Sequence, residues 1–210
     1  MQALDIIFYL AILIMSVVIH EVSHGFTAEY FGDKTARYAG RLTLNPLKHL
    51  DWFGSVILPL LLIVTKAGFV VGWAKPVPYN PNNLSNRRWG TLSVALAGIL
   101  ANLAIALFFV AVIRLAFHFG VVYNPLYFIC GLIVFLNLLL AFFNLMPSPP
   151  LDGSKILFAL LPARFSYLEY AFERYSIFIF LLFIFFIWSH IFPAIFFIFK
   201  LLVGNSPVLF

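Results

Sequence analysis

The sequence predicts an all-α protein that threads a lipid bilayer several times, and three observations carry that prediction. Of 210 residues, 63% are hydrophobic and only 10% charged, far from the roughly 25% charged residues of soluble domains. Several apolar runs reach about 20 residues, the length needed to cross a hydrocarbon core of roughly 30 Å. Most lysines and arginines fall between those runs, where they act as topology signals. About four full transmembrane helices, one re-entrant segment and a short β element are expected, forming a single integral-membrane domain over residues 1–210.

The first run covers about residues 4 to 19, and its helical pattern can continue through His20 and His24 towards Tyr30, with Gly32 a plausible stop. Met1 to Asp5 holds no basic side chain and no small-residue cleavage site follows, so this run is expected to be retained as a helix rather than removed as a signal. At 1.5 Å per residue, residues 6 to 28 span about 34 Å, which puts His20 inside the membrane near its second face. A polar stretch from Asp33 to Asp51 follows. Within it Arg41 to Asn45 alternates enough to suggest the short strand.

The next run, Trp52 to Trp73, is broken by Pro59, Lys66, Gly68 and Gly72. A Pro- and Asn-rich loop from Ala74 to Trp89 leads to two clear spanning candidates at about 91 to 113 and 125 to 145. The mixed segment Pro147 to Tyr175 precedes a last aromatic run, Ser176 to Val203. At 28 residues that run is taken as one tilted helix, or one kinked near Ser189, His190 and Pro193.

Charge decides the path of residues 52 to 73. If that segment crossed fully, Lys75, Arg87, Arg88, Lys155, Arg164 and Arg174 would lie outside, against the positive-inside rule. If it turns back near Lys66 to Gly68, the loops at 25 to 51, 74 to 90 and 147 to 175 all face the cytoplasm. These loops carry Lys34, Arg37, Arg41, Lys48, Lys75, Arg87, Arg88, Lys155, Arg164 and Arg174, while the opposite face holds only Arg114, with Lys200 near a helix end. The second arrangement is preferred, with the N-terminus outside.

Composition also limits function. The formal charge of +5 is scattered without a basic run, so no nucleic-acid partner is expected. Cys130 is the only cysteine, which rules out an intramolecular disulfide and a thiolate zinc cage and leaves it as a small buried hydrophobe. The 26 phenylalanines are read as lipid-facing and interhelical packing.

His20-Glu21-Val22-Ser23-His24 matches the H-E-x-x-H pattern. Two imidazoles four residues apart share one helix face and can grip one zinc ion, while Glu21 stands where it can take a proton from water polarised by the metal. A catalytic zinc site needs a third protein ligand. The extended pattern with a third histidine fails, because Tyr30 occupies that place. Glu29, Asp33, His49 and Asp51 are candidates in polar stretches, and Glu169 and Glu173 are distant ones. Asp152 is more telling, because it follows a spanning helix and the preferred topology puts it on the face of His24. Alone, however, an Asp-Gly after prolines is an ordinary turn.

Taken with Asn144-x-x-Pro147-x-x-Pro150-Leu151-Asp152-Gly153, the His20 to His24 motif resembles the site-2 protease family of intramembrane zinc metalloproteases. Gly72 to Pro78 and Ala97-Gly98-Ile99-Leu100-Ala101-Asn102 resemble segments of its short bacterial and archaeal members, and the similarity runs from about residue 16 to 158. The resemblance implies His20, His24 and Asp152 as ligands of one Zn2+ and Glu21 as the general base. It implies Asn144 as a residue that holds the substrate backbone, and Asn102 as structural or substrate-orienting. It further implies a transmembrane protein substrate and a prokaryotic cytoplasmic membrane, with the site towards the cytoplasm. Ser154 and Ile99 depart from the family pattern without touching a ligand. The family's frequent peptide-binding insert and nucleotide-sensing appendage are expected to be missing. A silent membrane chaperone and a metal or proton transporter are the rival classes; paired helix repeats, common in transporters, are not found.

Overall fold

Long apolar helices with capped ends set the architecture in the computed structural model, which describes residues 3–57, 61, 64–65 and 74–204. Helix α1 runs Ala3–Tyr30. It stops because Gly32 takes a φ of 103°, with Asp33 N–H donating to Ala28 O and Gly32 N–H to Glu29 O, the two bonds of a glycine-terminated helix. A single turn, α2 (Thr35–Tyr38), follows.

Helix α3 (Arg87–His118) starts on the Asn86 side chain, which accepts the N–H of Trp89. Its C-terminus closes through Gly120, whose φ is 68°. Helix α4 (Asn124–Asn144) has proline in its first turn, where the missing N–H costs nothing. Four shorter α-helices follow among the described residues: α5 (Asp152–Leu160), α6 (Ser166–Arg174), α7 (Ser176–Leu182) and α8 (Trp188–Val203).

Among the described residues three helices are long and apolar enough to cross a membrane, within Phe8–Tyr30, Arg87–His118 and Asn124–Asn144. The pair Tyr167–Arg174 and Ser176–Ile187, bent by 76°, makes up to four. The protein is therefore an all-α polytopic membrane protein. The last run differs in detail from a simple tilted helix. It stays helical from Ser176 to Val203, but its turns widen to π geometry over Phe183–Ile187, and Pro193 lies inside α8. Both are recognised sources of helix irregularity.

Helix α3 is the central element, packing on α1, α4 and α5. At its C-terminal end Ile113, Tyr127, Val134, Ile195 and Phe199 close into an apolar core. Cys130 belongs to that core and is buried.

The short β element is not found. Arg41 to Asn45 has no ladder partner, and no strand occurs among the described residues. Side chains do the holding instead: Arg41 Nη1 donates to Lys48 O, Thr43 O accepts from His49 Nε2 at 2.8 Å, and Asn45 caps the turn Pro46–Lys48. Alternating polarity is thus satisfied by an extended loop.

The proposed turn near Lys66 to Gly68 lies outside the described residues. Its flanks do meet, since Lys75 N–H donates to His49 O at 2.8 Å. Ser85 N–H donates to Phe31 O, and Arg88 reaches Ala159 O and Leu160 O. The loop at 74 to 90 is therefore in contact with both of the other loops that the charge pattern assigns to its face.

Candidate metal centre

Helix α1 positions the first two candidate side chains. Its outer residues Leu10, Ile14 and Met15 are exposed, whereas Ser16, Val18, His20, Val22 and His24 are buried. A polar face on an apolar helix is stable only against partners that use it. Helix α3 supplies the wall opposite. A Cβ on Gly98 would lie 2.5 Å from His20 Cε1 and 2.6 Å from the Nε2 atoms of His20 and His24, so the imidazole edges fill the space that a side chain there would occupy.

Asp152 opens α5, where the helix N-terminus favours a carboxylate. Gly153 makes the sharp entry possible, because a Cβ there would collide with the Leu145 and Met146 carbonyl oxygens. As a result, three donor atoms converge. His20 Nε2 lies 3.1 Å and His24 Nε2 3.0 Å from Asp152 Oδ2, and the two imidazole nitrogens are 3.0 Å apart. Among the described residues this is the group of His, Cys, Asp and Glu side chains placed to hold a metal ion.

The chemistry of the donor set fits a cation. His24 Nδ1 lies 2.6 Å from Val94 O, and a carbonyl accepts only if Nδ1 carries the proton. Neutral His24 then turns a lone pair on Nε2 towards the carboxylate oxygen. Three contacts of about 3 Å thus share at most the single proton His20 can offer, an arrangement that a metal ion resolves. His20 Nδ1 is buried with no hydrogen-bond partner among the described residues.

The surroundings of Asp152 keep it charged. Burial works against ionisation, but the contacts from His20 and His24 and the charge of Lys155 hold its carboxyl well below the ordinary carboxylate range. Its second oxygen, Oδ1, accepts from Lys155 Nζ at 3.0 Å. Burial pulls the Lys155 ammonium down, and Asp152 more than compensates, so it stays protonated.

Glu21 projects from α1 between the histidines, and its Oε2 accepts the Val77 N–H at 2.8 Å. The loop carrying Val77 is fixed by buried Asp33, whose oxygens accept from Asn80 N at 2.7 Å, Asn83 Nδ2 at 2.9 Å, and Thr35. Gly25 admits the loop, because a Cβ there would lie 2.8 Å from Val77 Cγ1 and 2.6 Å from Leu42 Cδ2.

The other candidate ligands have different partners. Glu29 pairs with Arg37, Asp33 clamps the loop, His49 bonds Thr43 O, and Asp51 accepts from Gly54 N. Glu169 and Glu173 lie on α6 and are not grouped with the histidines. Asn102 sits one helical turn beyond Gly98, is fully buried, and has no partner for either amide atom among the described residues. Asn144 turns its amide back to Leu140 O at 3.0 Å.

Sequence reasoning missed Lys155, although its position three residues after Asp152 on a helix was a usable signal. It also missed Val94 O and Val77 N–H, backbone groups that carry no sequence signature.

Comparison with known proteins points to a peptidase family. The model of peptidase family M50 matches residues 8–127 and 116–187. YwhC of Bacillus subtilis, provisionally named a zinc metalloprotease, is 43% identical over 163 residues, covering 73% of this chain and 69% of that protein. Rip2 of Mycolicibacterium smegmatis, named in the same provisional way, is 33% identical over 144 residues, 67% of this chain but 52% of Rip2. The chain thus spans about half the length of that relative. The zinc metalloprotease MJ0392 of Methanocaldococcus jannaschii is 27% identical over 158 residues, 75% of this chain and 35% of its own length. No solved structure matches at comparable significance.

Proposed function

The chain belongs to peptidase family M50, the site-2 protease family, and on that premise we propose that it is a membrane-embedded zinc endopeptidase. It hydrolyses peptide bonds within or next to the transmembrane segment of a membrane-protein substrate. His20, His24 and Asp152 hold one zinc ion per chain, and Glu21 is the general base. The observation that carries the reading is the triangle of His20 Nε2, His24 Nε2 and Asp152 Oδ2, with sides of 3.0 to 3.1 Å.

When bound, zinc supplies a Lewis acid that makes water more acidic and stabilises negative charge on the scissile carbonyl. Glu21 takes the proton of the attacking water and returns it to the leaving amine. The Val77 N–H steadies Oε2, and Oε1 is the oxygen assigned to the transfer. Val94 O orients His24 through Nδ1, and Gly98 keeps the space that the imidazoles need.

A helical substrate must unwind near the scissile bond, and its freed backbone groups then need partners that hydrocarbon does not offer. Asn102 and Asn144 are assigned to that role. For Asn102 the support is a buried amide with both polar atoms unused among the described residues. On this reading the site faces the cytoplasmic side of a prokaryotic plasma membrane, and the basic loops around it support that orientation.

Glu21→Gln tests the assignment. The variant should keep its zinc and lose cleavage by about 10²- to 10⁴-fold, the usual contribution of a general base. Cleavage at the wild-type rate would show that the base lies elsewhere.

A further inference from the structure

We infer that Lys155 is a positioning residue that makes Asp152 present a single oxygen to the imidazole pair. This rests on the zinc-site reading above and deepens it.

The two oxygens of Asp152 have separate partners. Oδ2 faces His20 Nε2 and His24 Nε2 at 3.1 and 3.0 Å, whereas Oδ1 faces Lys155 Nζ at 3.0 Å. A carboxylate with no partner on its second oxygen can rotate to offer both to a cation. The ammonium prevents this by fixing both the plane and the choice of oxygen.

Three features separate this pair from an ordinary surface ion pair, which contributes little. The Asp152 side chain is only 7% exposed, so its charge is poorly screened. The spacing of three residues on α5 delivers Nζ to Oδ1 without a long-range contact. Lys155 Nζ also stands 5.6 Å from the centre of the Tyr79 ring, so the ammonium lies between a carboxylate and an aromatic face. Tyr79 belongs to the extended segment whose Val77 N–H holds Glu21. One cation therefore links the ligand-bearing helix to the loop that steadies the base.

The consequence is chemical. A carboxylate that gives one oxygen leaves a catalytic metal with room for water and substrate, while one that gives two fills a position. Lys155 accordingly controls how many places Asp152 occupies, without touching the reacting atoms itself.

Cobalt(II) in place of zinc gives a direct readout, because its visible bands report coordination number. The 210-residue chain in detergent, loaded with cobalt, should show intense four-coordinate bands. Lys155→Met should weaken and shift them towards the five-coordinate pattern, and zinc-loaded activity should fall about 10- to 100-fold, as for other outer-sphere partners. Lys155→Arg, which can still donate to Oδ1, should restore both. Tyr79→Phe keeps the ring and should leave the bands at their wild-type position.

If Lys155→Met leaves the cobalt spectrum unchanged in a chain that binds cobalt as the wild type does, the role of Lys155 is overturned and the zinc site stands. If the wild type takes up no cobalt, or if its bands survive Asp152→Ala, the zinc-site reading itself falls, and this inference with it.

Discussion

The two ends of α3 are held by the same device and built on opposite principles. At its start, Arg88 donates to Ala159 O and Leu160 O, the carbonyls closing α5. Towards its end, Arg114 donates to Leu202 O and Leu201 O, closing α8. Each guanidinium satisfies orphan carbonyls and meets the negative end of a helix dipole.

What surrounds the two arginines differs. Near Arg88 the structure is fixed by directional bonds to single atoms: Val94 O on His24, Val77 N–H on Glu21, and four donors on Asp33. Around Arg114 the packing of Ile113, Tyr127, Ile195 and Phe199 does the work. Van der Waals contact between helices replaces the hydrophobic effect that lipid cannot provide. The polar end should therefore fail sharply, through loss of metal and turnover, and the apolar end gradually, through loss of stability.

Substitutions can break this contrast. The largest effect is expected from Gly98→Val, which drives a side chain into the Nε2 atoms of His20 and His24. The folded protein should retain no zinc and show no cleavage, as checked by metal analysis beside circular dichroism. At the other end, Ile113→Ala should cost about 2–3 kcal/mol through the cavity it leaves. Its zinc content should stay at the wild-type level. A metal loss there comparable to that of Gly98→Val would erase the distinction between the ends.

Asp33→Asn should have the smallest effect, on the order of 1–2 kcal/mol, as a charged hydrogen-bond acceptor is lost. Burial pushes the Asp33 carboxyl up, but bonds from Thr35, Asn80 and Asn83 outweigh it and hold the group below its ordinary value. A carboxyl depressed by folding adds stability that is fully present above its unfolded value, about 3.9, and fades as pH falls through the lower folded value. Hydrogen exchange at Asn80 and Asn83 should therefore show protection at neutral pH that declines in acid. Asp33→Asn should have less protection at pH 7 and little change with pH. Equal protection in both proteins at pH 7 would mean that Asp33 does not clamp the loop.

How much of this is legible in the sequence depends on how far apart the interacting groups lie. His20, Glu21 and His24 are one helical turn of local information, so periodicity alone places them together. Asp152 lies 132 residues from His20. It needs the charge-based topology, and the family resemblance, to be preferred over His49 or Glu29. The helix at 91 to 113 was recognisable, but its true limits of Arg87 and His118 were not, because polar residues at the ends extend it by bonding to other helices. Arg41 to Asn45 shows the opposite error. Alternating polarity indicates an extended chain but cannot tell a strand from a loop held by side chains. Gly98 carries no chemistry of its own, and only the fold shows that its missing Cβ is the space the imidazoles fill.

The central claim, that two histidines of α1 and the first residue of α5 hold one zinc ion, is tested most directly by metal analysis of purified Asp152→Ala. The account predicts close to one zinc per wild-type chain and a fall to about a tenth or less without the third ligand, while His49→Ala stays at the wild-type level. An Asp152→Ala protein that still holds one zinc per chain would contradict it.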